Sequence, residues 1–497
     1  MQRLYDTILG TDEKPTRSPL VLVALLWTCL FPSSLYSGDL PDLGNSASAF
    51  FTPAQEVELG RSIMKELRQA QIISQDVYVT QYIQGLGYRL LATQGQAQSA
   101  YHFFVVDDKS INAFALPGGF VGVNSGLIMA SESESELAGV LAHEVAHVQQ
   151  KHMARMYEHM GRLRLSTIAG MLAAAVLATQ NAQAASGAMA ATMAGGQQAM
   201  INYTREHEKE ADAMGIVALK KAGFDPNGMP AFFHRMGQET RFYGNHVPEY
   251  LLTHPLTETR LVEAQSRASS YPYKQVPDSL QYHLVQARLV ADTFSTPQEA
   301  SDHFSKKLVK GNYRSRLGTL YGYVISLLES GKPSQAKPYL DELISNAPNQ
   351  PLFQLAYAQM EMALQKTDEA ISRLATTLQN HPNNYAVTYT YCEWLIKSGQ
   401  QTKAINILKS QVARKGAYSQ FWNLLSQAYA TAKYPIHAHF AQAQYLKTQG
   451  DLTGAVNQLR MAKKIASLSK QEQRQIDAEL KDLQTKIDET PQKSRFN

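Results

Sequence analysis

Two histidines and a glutamate, His143, Glu144 and His147, form the pattern H-E-x-x-H. If this stretch is helical, the histidines are four residues apart and share one face, so both imidazoles can reach one zinc ion. Glu144 follows the first histidine directly, where its carboxylate can take a proton from an attacking water molecule. The pattern therefore predicts a zinc-dependent hydrolase with Glu144 as general base.

The residues around this motif favour a helix. Ser131 with Glu134 and Ser133 with Glu136 both fit the capping-box spacing at its start. Apolar residues then recur at helical spacing on both sides of the motif: Leu137, Val140, Leu141, Val145 and Val148. The five-residue pattern is short enough to arise by chance, so the hydrolase prediction depends on a further ligand elsewhere in the chain.

Residues 203–212 contain the candidate for that ligand. A catalytic zinc site usually has three protein ligands and water, and the third histidine of the longer metzincin pattern is absent here. On a helix, Glu208 and Asp212 lie four residues apart on one face. Glu208 can then bind zinc while Asp212 hydrogen-bonds the far nitrogen of a ligand histidine. His207 is a competing ligand, but it faces another side of the helix. A charged helix of this kind is also typical of a solvated surface.

A small sheet is predicted just before the metal-binding helix. Residues 101–106, 111–116 and 120–123 have the composition of short strands, and Pro117-Gly118-Gly119 is a strong turn signal. A sheet edge beside a metal helix can accept an extended peptide as an added strand. The alternative is that the strands only pack the core.

Alanine and methionine dominate residues 160–200. An apolar insertion with few bulky residues next to an active site favours a lid, or a surface for a membrane or for unfolded substrate. A buried helical hairpin is the alternative, and the sequence leaves both open.

Composition limits the remaining possibilities. A chain of 497 residues is too long for one core, so two or more domains are expected. The net charge of +4 and the lack of a Lys/Arg block do not indicate a nucleic-acid partner. Of the two cysteines, Cys29 lies in a segment expected to be removed, so Cys392 remains alone and no cysteine-based zinc site is expected.

The first 37 residues are predicted to be a signal peptide. Basic residues precede an apolar run at 20–31, which is too short to span a bilayer, and small residues follow up to Ser37. An uncleaved anchor is the alternative. Either way we expect the rest of the chain to be exported.

The C-terminal half repeats with a step of 34 residues, which is the tetratricopeptide (TPR) period. Ala336, Ala370, Ala404 and Ala438 follow this step. Such helix pairs stack into a solenoid whose concave face usually binds a protein segment. We therefore predict TPR repeats over 311–470, after a connecting helical segment at 271–310 and before a charged tail at 471–497.

Three motifs together resemble a known family. The H-E-x-x-H motif, the pattern R-x-x-E-x-E-A-D at 205–212 and the segment N-A-F-A-L-P-G-G at 112–119 resemble the zinc metallopeptidases that include the CAAX prenyl proteases and the HtpX-like heat-shock proteases. The transmembrane helices of those two groups are missing. An exported form with C-terminal repeats looks like the periplasmic BepA-like branch, the beta-barrel assembly-enhancing proteases.

This resemblance covers residues 50–270 and implies a site. It implies one zinc ion per chain, held by His143, His147 and Glu208, with Glu144 as general base. It also implies a mainly α fold, with a zincin-type metalloprotease domain that has a small β-sheet, followed by an all-α TPR solenoid.

Three further residues match the family's pattern and are candidates for gating or substrate binding. His254, in the segment Thr253-His254-Pro255-Leu256, could approach the open zinc position and displace water. Arg260 could bind a substrate carbonyl or the developing oxyanion. Asn112 begins the segment that precedes the metal helix in the family.

The function implied is a periplasmic zinc endopeptidase that degrades misassembled outer-membrane proteins and assists their assembly. The expected partners are protein substrates, among them outer-membrane barrel precursors and their assembly machinery, with peripheral membrane contact and no nucleic acid. The alternative function is a chaperone or adaptor with a gated, mostly closed metal site.

Overall fold

The computed structural model describes residues 52–93, 100–160, 176, 197–243, 248–414, 418–465 and 468–489, which belong to one compact unit, Phe50–Asn497. The predicted signal peptide, most of the Ala- and Met-rich segment and the end of the C-terminal tail lie outside the described residues. Within the described ranges, no helix is both long and apolar enough to cross a bilayer.

The N-terminal domain contains a three-stranded sheet: β1 His102–Val106, β2 Ala113–Leu116 and β3 Phe120–Asn124. The central strand β3 is parallel to β1 and antiparallel to β2, which makes β2 an edge strand. All three predicted strands are present, with ends shifted by one or two residues. Gly118 and Gly119 make the β2–β3 turn with φ angles of 76° and 81°, a left-handed conformation that favours glycine.

Nine helices of the described residues complete this domain: α1 Pro53–Gln69, α2 Val77–Ala92, α3 Ser125–Ala130, α4 Glu134–Gln149, α5 His152–Met160, α6 Gln197–Lys221, α7 Gly228–Tyr243, α8 Glu249–Thr253 and α9 Glu258–Ser269. The H-E-x-x-H helix α4 is central. It packs against α2, α6, α7 and β2, and its residues from 134 to 146 are all buried.

One of the two predicted caps forms at the start of α4. Ser133 accepts a hydrogen bond from the Glu136 backbone N–H at 3.1 Å. The pair Ser131–Glu134 does not cap the helix, because the Ser131 hydroxyl donates to the Leu127 carbonyl. Glu134 instead accepts hydrogen bonds from the backbone N–H and hydroxyl of Ser279 at 2.9 and 2.8 Å, which ties the start of α4 to the segment that leads into the C-terminal half.

The C-terminal half consists of stacked helices: α10 Leu280–Ala291, α11 Pro297–Lys310, α12 Arg316–Glu329, α13 Pro333–Asn346, α14 Pro351–Ala363, α15 Thr367–Asn380, α16 Tyr385–Lys397, α17 Gln401–Val412, α18 Gln420–Thr431, α19 Pro435–Thr448, α20 Leu452–Lys463 and α21 Lys470–Glu489. The repeating Ala336, Ala370 and Ala404 are 0% exposed, because small side chains let adjacent helices approach closely.

The stacking extends beyond the predicted repeat limits. The pair α10–α11 shares an apolar core with α12 through Leu284, Phe304 and Leu320, although it lacks the 34-residue pattern. At the other end, α21 lies within the predicted charged tail and buries Ile476 and Leu483 against α19 and α20. Packing therefore continues past the limits that the repeat period defines.

The N-terminal end of α2 joins the two halves. Asp76 caps α2 by accepting from the backbone N–H groups of Tyr78 and Val79, and its other carboxylate oxygen accepts from Arg288 of α10 at 2.6 Å and 3.0 Å. Arg288 also donates to the Tyr321 hydroxyl of α12. Further along the solenoid, Gln81 bonds to the backbone beside α16 and Gln75 bonds to Gln420 of α18.

The contacts of Asp76 predict that two substitutions at this position lower the free energy of unfolding by different amounts. Asp76→Ala should lower the free energy of unfolding by about 0.5–2 kcal/mol for the lost cap, and further because Arg288 loses its carboxylate. Asp76→Asn keeps a capping oxygen and loses only the charge, so it should be milder. Thermal unfolding followed by circular dichroism tests this, and equal unfolding temperatures for the two variants would contradict it.

Candidate metal centre

The two motif histidines meet inside α4. His143 and His147 lie one helical turn apart, and their Nε2 atoms are 2.9 Å apart. The side chain of His143 is fully buried, and that of His147 is 12% exposed. Both rings therefore direct one nitrogen toward a common point, as the four-residue spacing predicted.

Helix α6 brings acidic side chains to the same point. Glu208 lies 3.3 Å from the Nε2 atoms of both His143 and His147. One turn later, the Asp212 carboxylate is 2.9 Å from His143 Nδ1, the nitrogen that faces away from Glu208. Gly215 permits this close approach, because a Cβ there would lie 2.6 Å from Met229 and 3.2 Å from the His143 backbone nitrogen.

His254 completes the cluster from the turn after α8. Its Nδ1 atom is 3.1 Å from Glu208 and 3.3 Å from His143 Nε2, and its Nε2 atom is 3.4 Å from Glu144. The ring stacks on Tyr250 with 4.8 Å between centroids, and the Tyr250 backbone N–H is held by the Ile111 carbonyl. The predicted gating residue therefore lies within the cluster, between Glu208 and Glu144.

The donor set fits a metal ion. One ligand atom each from His143, His147, Glu208 and His254 lies within 4.8 Å of the other three. Tetrahedral zinc with bonds of about 2.0–2.1 Å places its ligands roughly 3.3 Å apart. The separations of 2.9–3.3 Å between these nitrogen and oxygen atoms are close to that spacing.

The guanidinium group of Arg260 makes its contacts inside the protein. Its Nε and Nη2 atoms donate to the two carboxylate oxygens of Asp212 at 2.8 and 2.9 Å. Its Nη1 atom donates to the Pro255 carbonyl at 2.8 Å and lies 2.9 Å from Glu208. The side chain is 1% exposed. These contacts indicate that Arg260 neutralises and orients the two carboxylates, and its predicted contact with substrate stays a prediction.

Glu144 is buried beside the edge strand. Burial raises the pKa of its carboxyl group, and the backbone N–H of Ala115 in β2 opposes this rise by hydrogen bonding. Asn112, just before β2, is also buried, and its backbone carbonyl accepts from Asn124. Its side-chain carbonyl oxygen has no hydrogen-bond partner among the described residues.

In the metal-free cluster, the surroundings shift the pKa values of His143 and His147 in opposite directions. Burial lowers the pKa of His143, but Asp212 and Glu208 outweigh it and raise that pKa to about 10. Burial lowers the pKa of His147 to about 3, against the opposing effect of Glu208. The two pKa values shift in opposite directions because the far nitrogen of His143 contacts the Asp212 carboxylate, whereas the far nitrogen of His147 contacts the imidazole of His152.

A second group of polar residues lies behind His147 and was not predicted from the sequence. His152 Nδ1 lies 2.9 Å from His147 Nδ1, and His152 Nε2 lies 3.1 Å from Glu210. His207, the competing ligand, lies outside the cluster and stacks on His152. No spacing rule predicts a contact between residues 147 and 152, because it depends on the turn between α4 and α5.

A narrow cleft opens beside His147. Glu56 and Lys151 are its charged lining residues. The rest of the lining is apolar or small apart from His147: Leu59, Ala115, Leu116, Pro117, Gly118, Val148, Met153 and Ala154. Val176, from the Ala- and Met-rich segment, is buried nearby in the apolar cluster that includes Leu59.

Comparison with known proteins agrees with this geometry. The pattern of peptidase family M48 matches residues 78–268, and a tetratricopeptide repeat pattern matches residues 361–428. The beta-barrel assembly-enhancing protease of Escherichia coli strain K12 is 33% identical over 446 residues, which are 89% of this chain and 91% of that protein. A relative from Vibrio cholerae serotype O1 provisionally carries the same name and is 35% identical over 90% of this chain and 92% of its own length. The mitochondrial metalloendopeptidase OMA1 of Schizosaccharomyces pombe is 29% identical over 44% of this chain and 61% of its own.

The buried H-E-x-x-H helix and its acidic partner helix define a metalloendopeptidase, here joined to a TPR-like helical region. The chain belongs to the beta-barrel assembly-enhancing proteases of peptidase family M48.

The contacts of Arg260 predict a stability effect without any metal. Arg260→Met would leave the buried carboxylates of Asp212 and Glu208 without their cation, and breaking a buried pair costs about 3–5 kcal/mol. Arg267→Met changes an exposed arginine on the same helix α9 and serves as control. Denaturant unfolding of the metal-free proteins measures both. Unfolding of Arg260→Met at the wild-type denaturant concentration would contradict this role.

Proposed function

We propose that the protein is a periplasmic zinc endopeptidase whose single metal ion per chain is held by His143, His147 and Glu208, with Glu144 as general base. The observation that carries this proposal is the charge balance of the buried cluster. Three carboxylates, those of Glu144, Glu208 and Asp212, are buried here, and the guanidinium of Arg260 pairs with the last two. When the histidines are neutral, as metal ligands must be, two negative charges remain, which is the charge that a divalent cation neutralises.

The donor types favour zinc among divalent cations. Magnesium and calcium prefer oxygen ligands, whereas two imidazoles and one carboxylate form a usual catalytic zinc set. Asp212 supports this assignment, because a carboxylate on the far nitrogen of His143 leaves Nε2 free of a proton for the metal.

The mechanism follows from the placement of Glu144. When bound, zinc would polarise the scissile carbonyl and lower the pKa of a water molecule. Glu144 takes a proton from that water and then delivers it to the leaving amine. The backbone N–H of Ala115 lowers the pKa of Glu144, so the base lies beside the strand edge where substrate would bind.

Substrate would add to β2 as an extra strand. The backbone of Asn112 bonds inward to β3, and the Ala115 N–H points outward to Glu144, so alternate residues of β2 face the metal side. Main-chain bonds of this kind tolerate many side chains. The cleft beside His147 is lined by Ala115 and Leu116 of the same strand, so it would take one apolar side chain next to the scissile bond.

His254 would keep the enzyme switched off. Catalytic zinc sites leave one position open, whereas a fourth protein ligand closes the site. His254 Nδ1 lies where that fourth ligand would be, and its other nitrogen faces Glu144. If the turn that carries His254 moved away, the fourth metal position and the Glu144 carboxylate would both become accessible to water and substrate. The closed arrangement also favours the second candidate function, an adaptor or chaperone.

The substrate class comes from the relatives. Proteins that carry the name beta-barrel assembly-enhancing protease cover nine-tenths of this chain, and we infer that outer-membrane barrel precursors and their assembly machinery are partners here. Residues 1–37 would export the chain to the periplasm. The solenoid would recruit protein partners.

Removing the base should abolish cleavage and leave the metal in place. Glu144→Gln should retain about one zinc per chain and lower peptide cleavage by roughly 10²–10⁴-fold. Metal analysis and a casein assay measure both, in wild type and in a His254→Ala background where activity is higher. An adaptor function would survive Glu144→Gln, and full proteolysis by Glu144→Gln would contradict its assignment as base.

Removing the blocking ligand should have the opposite effect. His254→Ala frees the fourth position, so casein cleavage should rise several-fold while zinc stays bound by the remaining three residues. Leu252→Ala, an exposed position on α8, is the matched control and should leave the rate unchanged. Unchanged or lower activity of His254→Ala would count against the blocking role.

A further inference from the structure

His147 has a hydrogen-bonding partner behind it that the proposed mechanism does not use. The nitrogen of His147 that faces away from the cluster, Nδ1, lies 2.9 Å from Nδ1 of His152. The other nitrogen of His152 lies 3.1 Å from Glu210, whose same carboxylate oxygen accepts from Arg155 at 3.2 Å. His152 is 3% exposed, so its ring is held within the protein.

Metal binding by His147 would determine which ring nitrogen carries the proton in each of these hydrogen bonds. If Nε2 of His147 binds the ion, its Nδ1 must carry a proton, which it donates to His152 Nδ1. His152 then carries its own proton on Nε2 and donates it to Glu210. Both nitrogens of His152 are thus used, one as acceptor and one as donor, and the ring remains neutral.

The backbone places His152 for this contact. Helix α4 ends at Gln149, and Lys151 adopts a left-handed conformation with φ of 52°. The chain therefore reverses, and His152 begins α5 opposite His147. The His207 ring stacks on His152 with 4.1 Å between centroids and 7° between planes, which restricts rotation of the His152 ring.

Each of the two proposed metal-binding histidines has a carboxylate behind it, on the side away from the metal. His143 is backed directly by Asp212, which Arg260 holds, and His147 is backed by Glu210 and Arg155 through an intervening imidazole. Helix α6 supplies both carboxylates. Glu210 is two residues from Glu208 and therefore on another side of the helix, so an imidazole bridges the distance to His147.

We propose that His152 is a positioning residue for the metal ligand His147: it holds the tautomer and ring orientation that direct His147 Nε2 at the ion. This inference rests on the proposed metal site, and it assigns His152, Glu210 and Arg155 a role in metal affinity. Partners of this kind typically contribute 10–100-fold to metal affinity.

Two substitutions separate hydrogen bonding from packing. In His152→Asn, an amide oxygen can take the place of Nδ1 and accept the proton of His147, although contact with Glu210 is lost. In His152→Gln, the amide lies near the position of Nε2 and reaches Glu210 but not His147. Zinc affinity, measured by competition with a chromophoric chelator, should stay near wild type for Asn and fall about 10–100-fold for Gln.

The outcomes are distinct. Equal affinities in the two variants, whether both normal or both reduced, would overturn the proposal, because packing alone does not distinguish them. Glu210→Gln should weaken zinc binding, whereas Glu206→Gln, the same change at an exposed site one turn earlier on α6, should not. If wild type itself binds no zinc, the proposed metal site fails instead.

The wild-type protein offers a test that needs no variant. In zinc-loaded protein with ¹⁵N-labelled histidine, the N–H···N bond between His147 and His152 should give a scalar coupling between two ring nitrogens. Loss of that coupling in His152→Gln would assign it. Its absence in the zinc-loaded wild type would overturn the proposal.

Discussion

The buried contact between α4 and α6 is the interaction on which the site depends. Gly215 lets the two helices approach until Glu208 and Asp212 of α6 touch the histidines of α4. Buried carboxylates are unfavourable without cations and hydrogen bonds. Arg260 supplies part of that compensation in the protein alone. A divalent ion would neutralise the negative charge that Arg260 leaves uncompensated. Structural stability and metal binding therefore depend on the same set of charges.

The elements around this contact control access to it. The metal helix packs against the edge strand β2, and the turn after α8 brings His254 against Glu208 and Glu144. The solenoid is attached through Asp76 and Arg288 at the start of α2, and a second tie joins Ser279 to Glu134 at the start of α4. Movement of the solenoid can therefore reach the metal helix directly through Glu134, and indirectly through α2, which packs against it.

Much of this arrangement could be predicted from local patterns. The H-E-x-x-H spacing predicted the facing histidines, the i to i+4 spacing predicted that Glu208 and Asp212 share a face, and the 34-residue period predicted the stacked helix pairs. What depends on long-range packing was not predictable. The Arg260 contact with Asp212 joins segments 48 residues apart, the bridge from His147 to His152 depends on the turn between α4 and α5, and the packing of α10 and α11 follows no 34-residue period, so none of these leaves a periodic signal.

We propose that His143, His147 and Glu208 hold one zinc ion per chain. Diffraction from crystals of the purified protein at energies on either side of the zinc absorption edge can locate that ion. One anomalous peak per chain is expected, within about 2.0–2.2 Å of Nε2 of both histidines and of a Glu208 oxygen. An absent peak, or a peak remote from these three side chains, would contradict it.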